Sequence, residues 1–87
     1  LEAIGFNLYP NPATDQITVE ANLPQSGELS IQVLNTLGQR VMFETSSEVA
    51  GQIQKTLSLG NLPAGIYHID IISDGKRMAS EQFHIAK

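Results

Sequence analysis

The sequence predicts an all-β protein, an immunoglobulin-like sandwich of about seven antiparallel strands in two sheets. Three observations predict it. Helix signals are weak along the chain, whereas strand signals recur about every dozen residues with turn residues between them. Apolar residues in those segments alternate with polar ones, the period of a sheet with one covered face. The length of 87 residues supports one domain, residues 1–87, with one thin core and little room for a deep active site.

The elements follow in order. Phe6, Asn7, Leu8 and Tyr9 form a short first strand, closed by Pro10-Asn11-Pro12 because neither proline donates to a ladder. Residues 15–21 alternate, with Ile17, Val19 and Ala21 inward. After the turn Leu23-Pro24-Gln25-Ser26-Gly27, residues 28–34 place Leu29, Ile31 and Val33 inward. Asn35-Thr36-Leu37-Gly38 is a tight link, and Gly38 is expected at positive φ. Residues 39–44 form the fourth strand, with Val41 and Phe43 inward, and the small polar stretch 45–51 reads as a loop. Residues 53–59 bring Leu57 and Leu59 to the core. The turn at residues 60–65 leads into residues 66–73, apolar enough on both faces to be central, with Tyr67, Ile69 and Ile71 on the core side. Asp74-Gly75 signals a type I′ hairpin, and residues 76–86 return antiparallel with Phe83 and Ile85 inward.

Composition and spacing narrow the function. There are no cysteines, so neither a disulfide framework nor thiolate chemistry is available. A net charge of −4 with five scattered Lys and Arg argues against duplex nucleic acid, and no apolar run is long enough to span a bilayer. The chain opens LEAIGFNLYP, with neither an initiator Met nor a charged and apolar leader, and is expected to be a fragment of a larger protein. His68 and Asp70 share a strand face, while His84 reaches them only in an uncommon register, so the trio reads as a solvated face in place of a metal site. Seven serines carry no nucleophile elbow, no Gly-rich loop opens a helix, and no facing carboxylate pair is evident. No catalytic residue, cofactor or small-molecule substrate is expected. Of five aromatics, Phe6, Phe43, Tyr67 and Phe83 take inward phases. Tyr9 reads as a packing residue anchoring the proline turn, which leaves no exposed aromatic platform for sugars.

The turn segments carry a resemblance. Leu8-Tyr9-Pro10-Asn11-Pro12-Ala13-Thr14-Asp15 followed by Ile17-Thr18-Val19 resembles the opening motif of type IX secretion C-terminal sorting domains. Residues 31–41, IQVLNTLGQRV, resemble the family's middle strand-turn-strand motif. Leu57-Ser58-Leu59 with residues 62–71, LPAGIYHIDI, resembles the next, and Phe83-His84-Ile85-Ala86-Lys87 resembles its end. The resemblance covers residues 8–87 and departs at one point: many members carry several lysines in the last strand, whereas Glu81 and Gln82 interrupt it here and Lys87 alone closes it.

The resemblance implies a non-catalytic signal at the C-terminus of a larger secreted protein of Bacteroidetes-type bacteria. It implies passage through the periplasm, recognition by an outer-membrane translocon, and removal by a sortase-like cell-surface protease that joins the cargo to an anionic lipopolysaccharide. The candidate recognition residues are Tyr9, Pro10, Asn11, Pro12, Gly65, Tyr67, Phe83, Ile85 and Lys87. The competing reading is a fibronectin-like or other accessory adhesion module of a secreted protein, which shares the sandwich and uses a different surface.

Overall fold

The computed structural model describes residues 6–87, a two-sheet sandwich of seven strands. The strands are β1 (Phe6–Tyr9), β2 (Gln16–Leu23), β3 (Gly27–Leu34), β4 (Arg40–Glu48), β5 (Gly51–Ser58), β6 (Gly65–Ser73) and β7 (Lys76–Ile85). One sheet has the order β1-β2-β5 and the other β4-β3-β6-β7, with every neighbouring pair antiparallel. The core lies between the sheets. Ile17 and Val19 of β2, Leu57 of β5 and Leu59 just beyond it meet Leu29, Val33, Ile69, Ile71, Phe83 and Ile85 from the other sheet, all fully buried. These are the inward phases of the alternating segments, and their burial is the main favourable contribution to folding.

The hairpin between β6 and β7 turns as expected. Asp74 and Gly75 both have positive φ, 49° and 81°. The Asp74 backbone N–H donates to the Glu28 carbonyl at 2.9 Å, and its carboxylate accepts from the Glu28 N–H at 2.9 Å, tying the hairpin to the start of β3. Gly38 has φ 82° as expected, in a link fixed by the Asn35 side-chain oxygen, which accepts from the Leu37 and Gln39 N–H groups at 3.0 Å each.

Four expectations are corrected. Val41 and Phe43 face outward, and Phe43 is 46% exposed. The register slips between Val33 and Leu34: Val33 pairs with Met42 but Leu34 with Arg40, leaving Val41 as an extra residue on β4. Met42 therefore takes the inner phase and packs against the core. Residues 45–51 are not one loop, because β4 runs on to Glu48 and β5 begins at Gly51. Pairing of Ser46 with Leu29 and Glu48 with Gly27 rests on backbone groups, which polar side chains on an edge strand do not disturb. Tyr9 is half-exposed on the outer face instead of packed; its hydroxyl donates to Glu20 Oε2 at 2.9 Å and accepts from Gln54 Nε2 at 2.8 Å.

The fourth correction concerns the expected solvated face. Asp70 is buried on the outer side of the four-stranded sheet. Its carboxylate accepts from Gln32 Nε2 at 2.8 Å and lies 4.0 Å from the Arg77 guanidinium, so the buried charge is compensated by neighbours on both flanking strands. The register pairs Ile66 with His84 and His68 with Gln82, which makes His84 a diagonal neighbour of His68. Among the described residues no group of three potential metal ligands comes together.

Candidate recognition surface

The candidate residues other than Tyr9 converge on one end of the sandwich, where three distant stretches of chain meet. The first is the proline segment. β1 pairs with β2, and the chain then leaves that sheet through Pro10-Asn11-Pro12. Both the Tyr9–Pro10 and Asn11–Pro12 peptide bonds are cis. Past the second proline, Ala13 is fully buried and forms a parallel bridge to Ile85, at the edge of the opposite sheet. Its N–H donates to the His84 carbonyl at 2.8 Å, and its carbonyl accepts from the Ala86 N–H at 2.8 Å. The Asn11 side-chain oxygen accepts from the His84 N–H at 3.2 Å. The segment thus satisfies backbone groups that the last strand would otherwise present to solvent.

The second stretch is the connection from β5 to β6. The Leu59 N–H donates to the Asp15 carbonyl at 2.7 Å, and the Leu62 N–H to the Leu59 carbonyl at 2.9 Å. Gly65 then starts β6 with φ 155°, a region open essentially to glycine alone, and pairs with Ile85. Two residues later the Tyr67 hydroxyl donates to the Pro63 carbonyl at 2.6 Å. A tyrosine near the start of this strand bonding a backbone carbonyl a few residues upstream is the tyrosine corner of immunoglobulin-like sandwiches. The alternating pattern identified Tyr67 as a core residue but not this bond; the spacing Pro63-x-x-x-Tyr67 after a turn was the available signal.

The third stretch is the end of the chain. Phe83 pairs with Tyr67 across β6 and β7, and their rings stack with centroids 5.8 Å apart at 28°. Ile85 is fully buried beneath the Ala13 bridge. Lys87 turns back over the β5–β6 connection, and its ammonium donates to the carbonyls of Leu62 at 2.7 Å, Gly60 at 3.2 Å and Leu59 at 3.5 Å. Three carbonyls converging on one ammonium use all three of its donors. The terminal lysine is thus held against the body of the domain.

Segments at residues 10–15, 59–67 and 83–87 are bonded to one another although they are far apart in sequence. Each coincides with a stretch that resembles a sorting-domain motif. The family described as "Secretion system C-terminal sorting domain" matches residues 7–86. The chain belongs to this family. It is a C-terminal sorting signal for type IX secretion, and it engages that secretion machinery to send its parent to the cell surface or beyond. No curated protein matches the chain. Among solved structures, a crystal structure of selenomethionine-labelled β-glucosidase from Kluyveromyces marxianus is similar at 15% identity, with a TM-score of 0.58. That likeness covers 98% of this chain and 14% of the β-glucosidase, and it concerns the fold alone.

Tyr9 stands apart from this cluster. It lies on the outer face of β1-β2-β5, beside a shallow groove of about 280 Å³ lined by Asn7, Glu20, Ala21, Asn22 and Gln52. The hydrogen bond from the phenol to the Glu20 carboxylate, aided by partial desolvation, holds the Tyr9 proton above the ordinary phenol range. Among the described residues no helix is long and apolar enough to cross a membrane.

Proposed function

We propose that the type IX outer-membrane translocon reads the end of the sandwich built from Pro10, Asn11, Pro12, Gly65, Tyr67, Phe83, Ile85 and Lys87. The observation that carries this reading is the mutual bonding of three separate motif segments there. A receptor meeting this end contacts the closing strand, the proline segment and the β5–β6 turn together, and the surface exists only when the domain has folded. Phe83, Ile85 and Tyr67 hold the surface from beneath. The proline segment and Lys87 present it. Tyr9 marks the adjacent sheet face as a second contact.

In this reading the domain is a signal and not an enzyme, the last part of a larger secreted protein. It passes through the periplasm folded. A sortase-like cell-surface protease then removes it and joins the cargo to an anionic lipopolysaccharide.

A fusion of this chain to a periplasmic reporter, expressed in a bacterium with type IX secretion, tests the reading. The intact fusion is expected outside the outer membrane. Deleting Ala86 and Lys87 removes the Ala86–Ala13 hydrogen bond and the mostly exposed Lys87 contacts but little apolar area, so folding survives with a loss of about 1–3 kcal/mol. Export of the truncated fusion is expected to fall sharply. Normal export of a folded truncated fusion rejects this end as the surface that is read.

A further inference from the structure

We infer that the outer face of the β1-β2-β5 sheet binds a neutral oligosaccharide through the amides of Asn7, Asn22, Gln52 and Gln54, the carboxylate of Glu20 and the ring of Tyr9. The sorting role neither requires nor supplies this binding. Tyr9 is common to both surfaces, so the test turns on Asn22 and Gln52, which the export surface does not include.

The register builds this face in regular rows. Asn7 lies opposite Glu20 and Glu20 opposite Gln54. Asn22 lies opposite Gln52 in the row on one side, and Tyr9, Thr18 and Thr56 form the row on the other. Residues two apart on a strand share a face, and the intervening Val19, Ala21 and Ile53 are buried on the core side. Asn7, Asn22, Gln52 and Gln54 are exposed, and a shallow groove is lined by Asn7, Glu20, Asn22 and Gln52. The sequence reads Tyr9 as a packing residue, whereas the structure lays it on this face, 40% exposed. Its hydroxyl donates to Glu20 Oε2 on β2 at 2.9 Å and accepts from Gln54 Nε2 on β5 at 2.8 Å, so the side chain spans β2. Gln54 Nε2 also donates to Glu20 Oε2, at 3.5 Å. Both bonds to the carboxylate fall on Oε2, which leaves Oε1 to accept from a ligand. Ligand-binding groups fixed in this way lose little freedom on binding.

The chemistry of these side chains selects the ligand. A primary amide donates and accepts within one plane, which suits sugar hydroxyls that each donate and accept. An exposed phenol ring offers rigid, flat apolar area for the C–H face of a sugar ring. These rows hold no Lys or Arg, and Lys55 lies on the inner phase of β5, engaged with Glu48. A phosphate or an acidic sugar therefore finds no counter-charge here and meets the Glu20 carboxylate instead. A cation fares no better. Glu20 is the one carboxylate in these rows, already bonded by Tyr9 and Gln54, and among the described residues no group of three potential metal ligands forms. A protein partner needs an apolar centre, and Tyr9 alone does not supply one. Successive rows lie about 6.8 Å apart along the strands, so the three rows cover about 14 Å, which suits a short chain of sugars better than a single ring. The groove is shallow and its groups are already hydrated, so the dissociation constant falls on the order of 1 mM.

An NMR titration of the nitrogen-15-labelled 87-residue chain tests the proposal. The neutral probes are maltohexaose, xylohexaose, mannohexaose and chitohexaose; the anionic ones are tetragalacturonate and inorganic phosphate. At least one neutral hexasaccharide is expected to shift the side-chain amide signals of Asn7, Asn22, Gln52 and Gln54 at about 1–10 mM. The anions are expected to leave those signals in place. Asn22→Ala combined with Gln52→Ala should weaken binding about tenfold or more. Both positions are exposed, and backbone signals unchanged away from the face show that the double variant is folded. A reporter fusion carrying it is expected to be exported like the parent, so loss of sugar binding with normal export separates the two roles. No shift with any of the four hexasaccharides at about 20 mM overturns the proposal. So does an equal response to the anions, a set of shifts confined to another face, or undiminished affinity in the double variant.

Discussion

The two outer edges of the four-stranded sheet are finished differently. At the end of β7 the chain brings its own Ala13 to the edge, adds the Asn11 side chain, and closes the adjoining turn with Lys87. At the open half of β4 the described residues add nothing beyond β3. A covered edge demands particular residues at particular places: prolines where the chain leaves one sheet, an alanine small enough to be buried beside β7, a glycine at φ 155° opposite Ile85. An uncovered edge demands only a pattern. Three of the family's motifs accordingly mark the β7 side, and the fourth, residues 31–41, crosses the turn into the start of β4. The covered edge is the one at which stretches resembling the family's motifs come together.

The largest difference expected between the two sides is energetic. Phe83 is fully buried and stacked on Tyr67, so Phe83→Ala should cost about 3–5 kcal/mol. Against a total stability on the order of 5–15 kcal/mol that is enough to unfold a sizeable fraction of the protein on mild warming. Phe43→Ala, at the half-exposed ring on β4, should cost less than about 1 kcal/mol. Chemical denaturation of the two variants in parallel checks this. Equal losses would mean that Phe43 is buried after all and that the register slip at Val33 and Leu34 has been placed wrongly.

A smaller effect tests the turn before β6. Gly65→Val forces a branched residue into a backbone region it rarely adopts, at about 1–3 kcal/mol. A Cβ there meets only Tyr67 Cε2 at 3.9 Å, an ordinary contact, so the cost comes from the backbone and not from crowding. Tyr67→Phe keeps the stacked ring and removes the bond to the Pro63 carbonyl, for about 1 kcal/mol. Thermal melts rank the two. A Gly65→Val protein as stable as the parent would remove the conformational reason for glycine at this position.

These cases show what the sequence made legible. Strands that alternate strongly were readable because only one phase is apolar: Ile17, Val19 and Ala21, or Leu29, Ile31 and Val33. β4 defeated the same reasoning because Val41, Met42 and Phe43 are apolar in both phases, and a bulge, not composition, decides which one faces the core. Its polar half was missed because edge pairing asks nothing of side chains. Gly38 and Asp74-Gly75 were legible from local turn chemistry. The assembly at the end of β7 was only half legible. Its residues stood out as unusual turns, but the Ala13–Ile85 bridge and the reach of Lys87 to residues 59, 60 and 62 join positions far apart in sequence, which no local pattern encodes. The burial of Asp70 belongs to the same class, since its compensating partners, Gln32 and Arg77, lie on the two neighbouring strands.

The smallest predicted effect lies at the closed end of β4. The Lys55 ammonium, with the Ser46 hydroxyl second, holds the Glu48 carboxyl below its ordinary value of 4.5. With its folded pKa depressed, Glu48 binds fewer protons in the folded state than in the unfolded chain as the solution is acidified. Its contribution to stability is therefore fully present above the unfolded value and disappears as pH falls through the folded one. Lys55→Met should raise the Glu48 pKa toward 4.5, a shift visible in a carboxyl carbon NMR titration. The melting temperature of the variant should lie slightly below that of the parent at pH 7, and the gap should close as pH falls through the depressed folded pKa. Exposed ion pairs are weak and screened, so added salt should narrow the gap at pH 7 as well. A gap that persists unchanged in acid below the Glu48 titration and in high salt would mean that Lys55 acts through its aliphatic stem, and that the far end of β4 is closed by packing and not by charge.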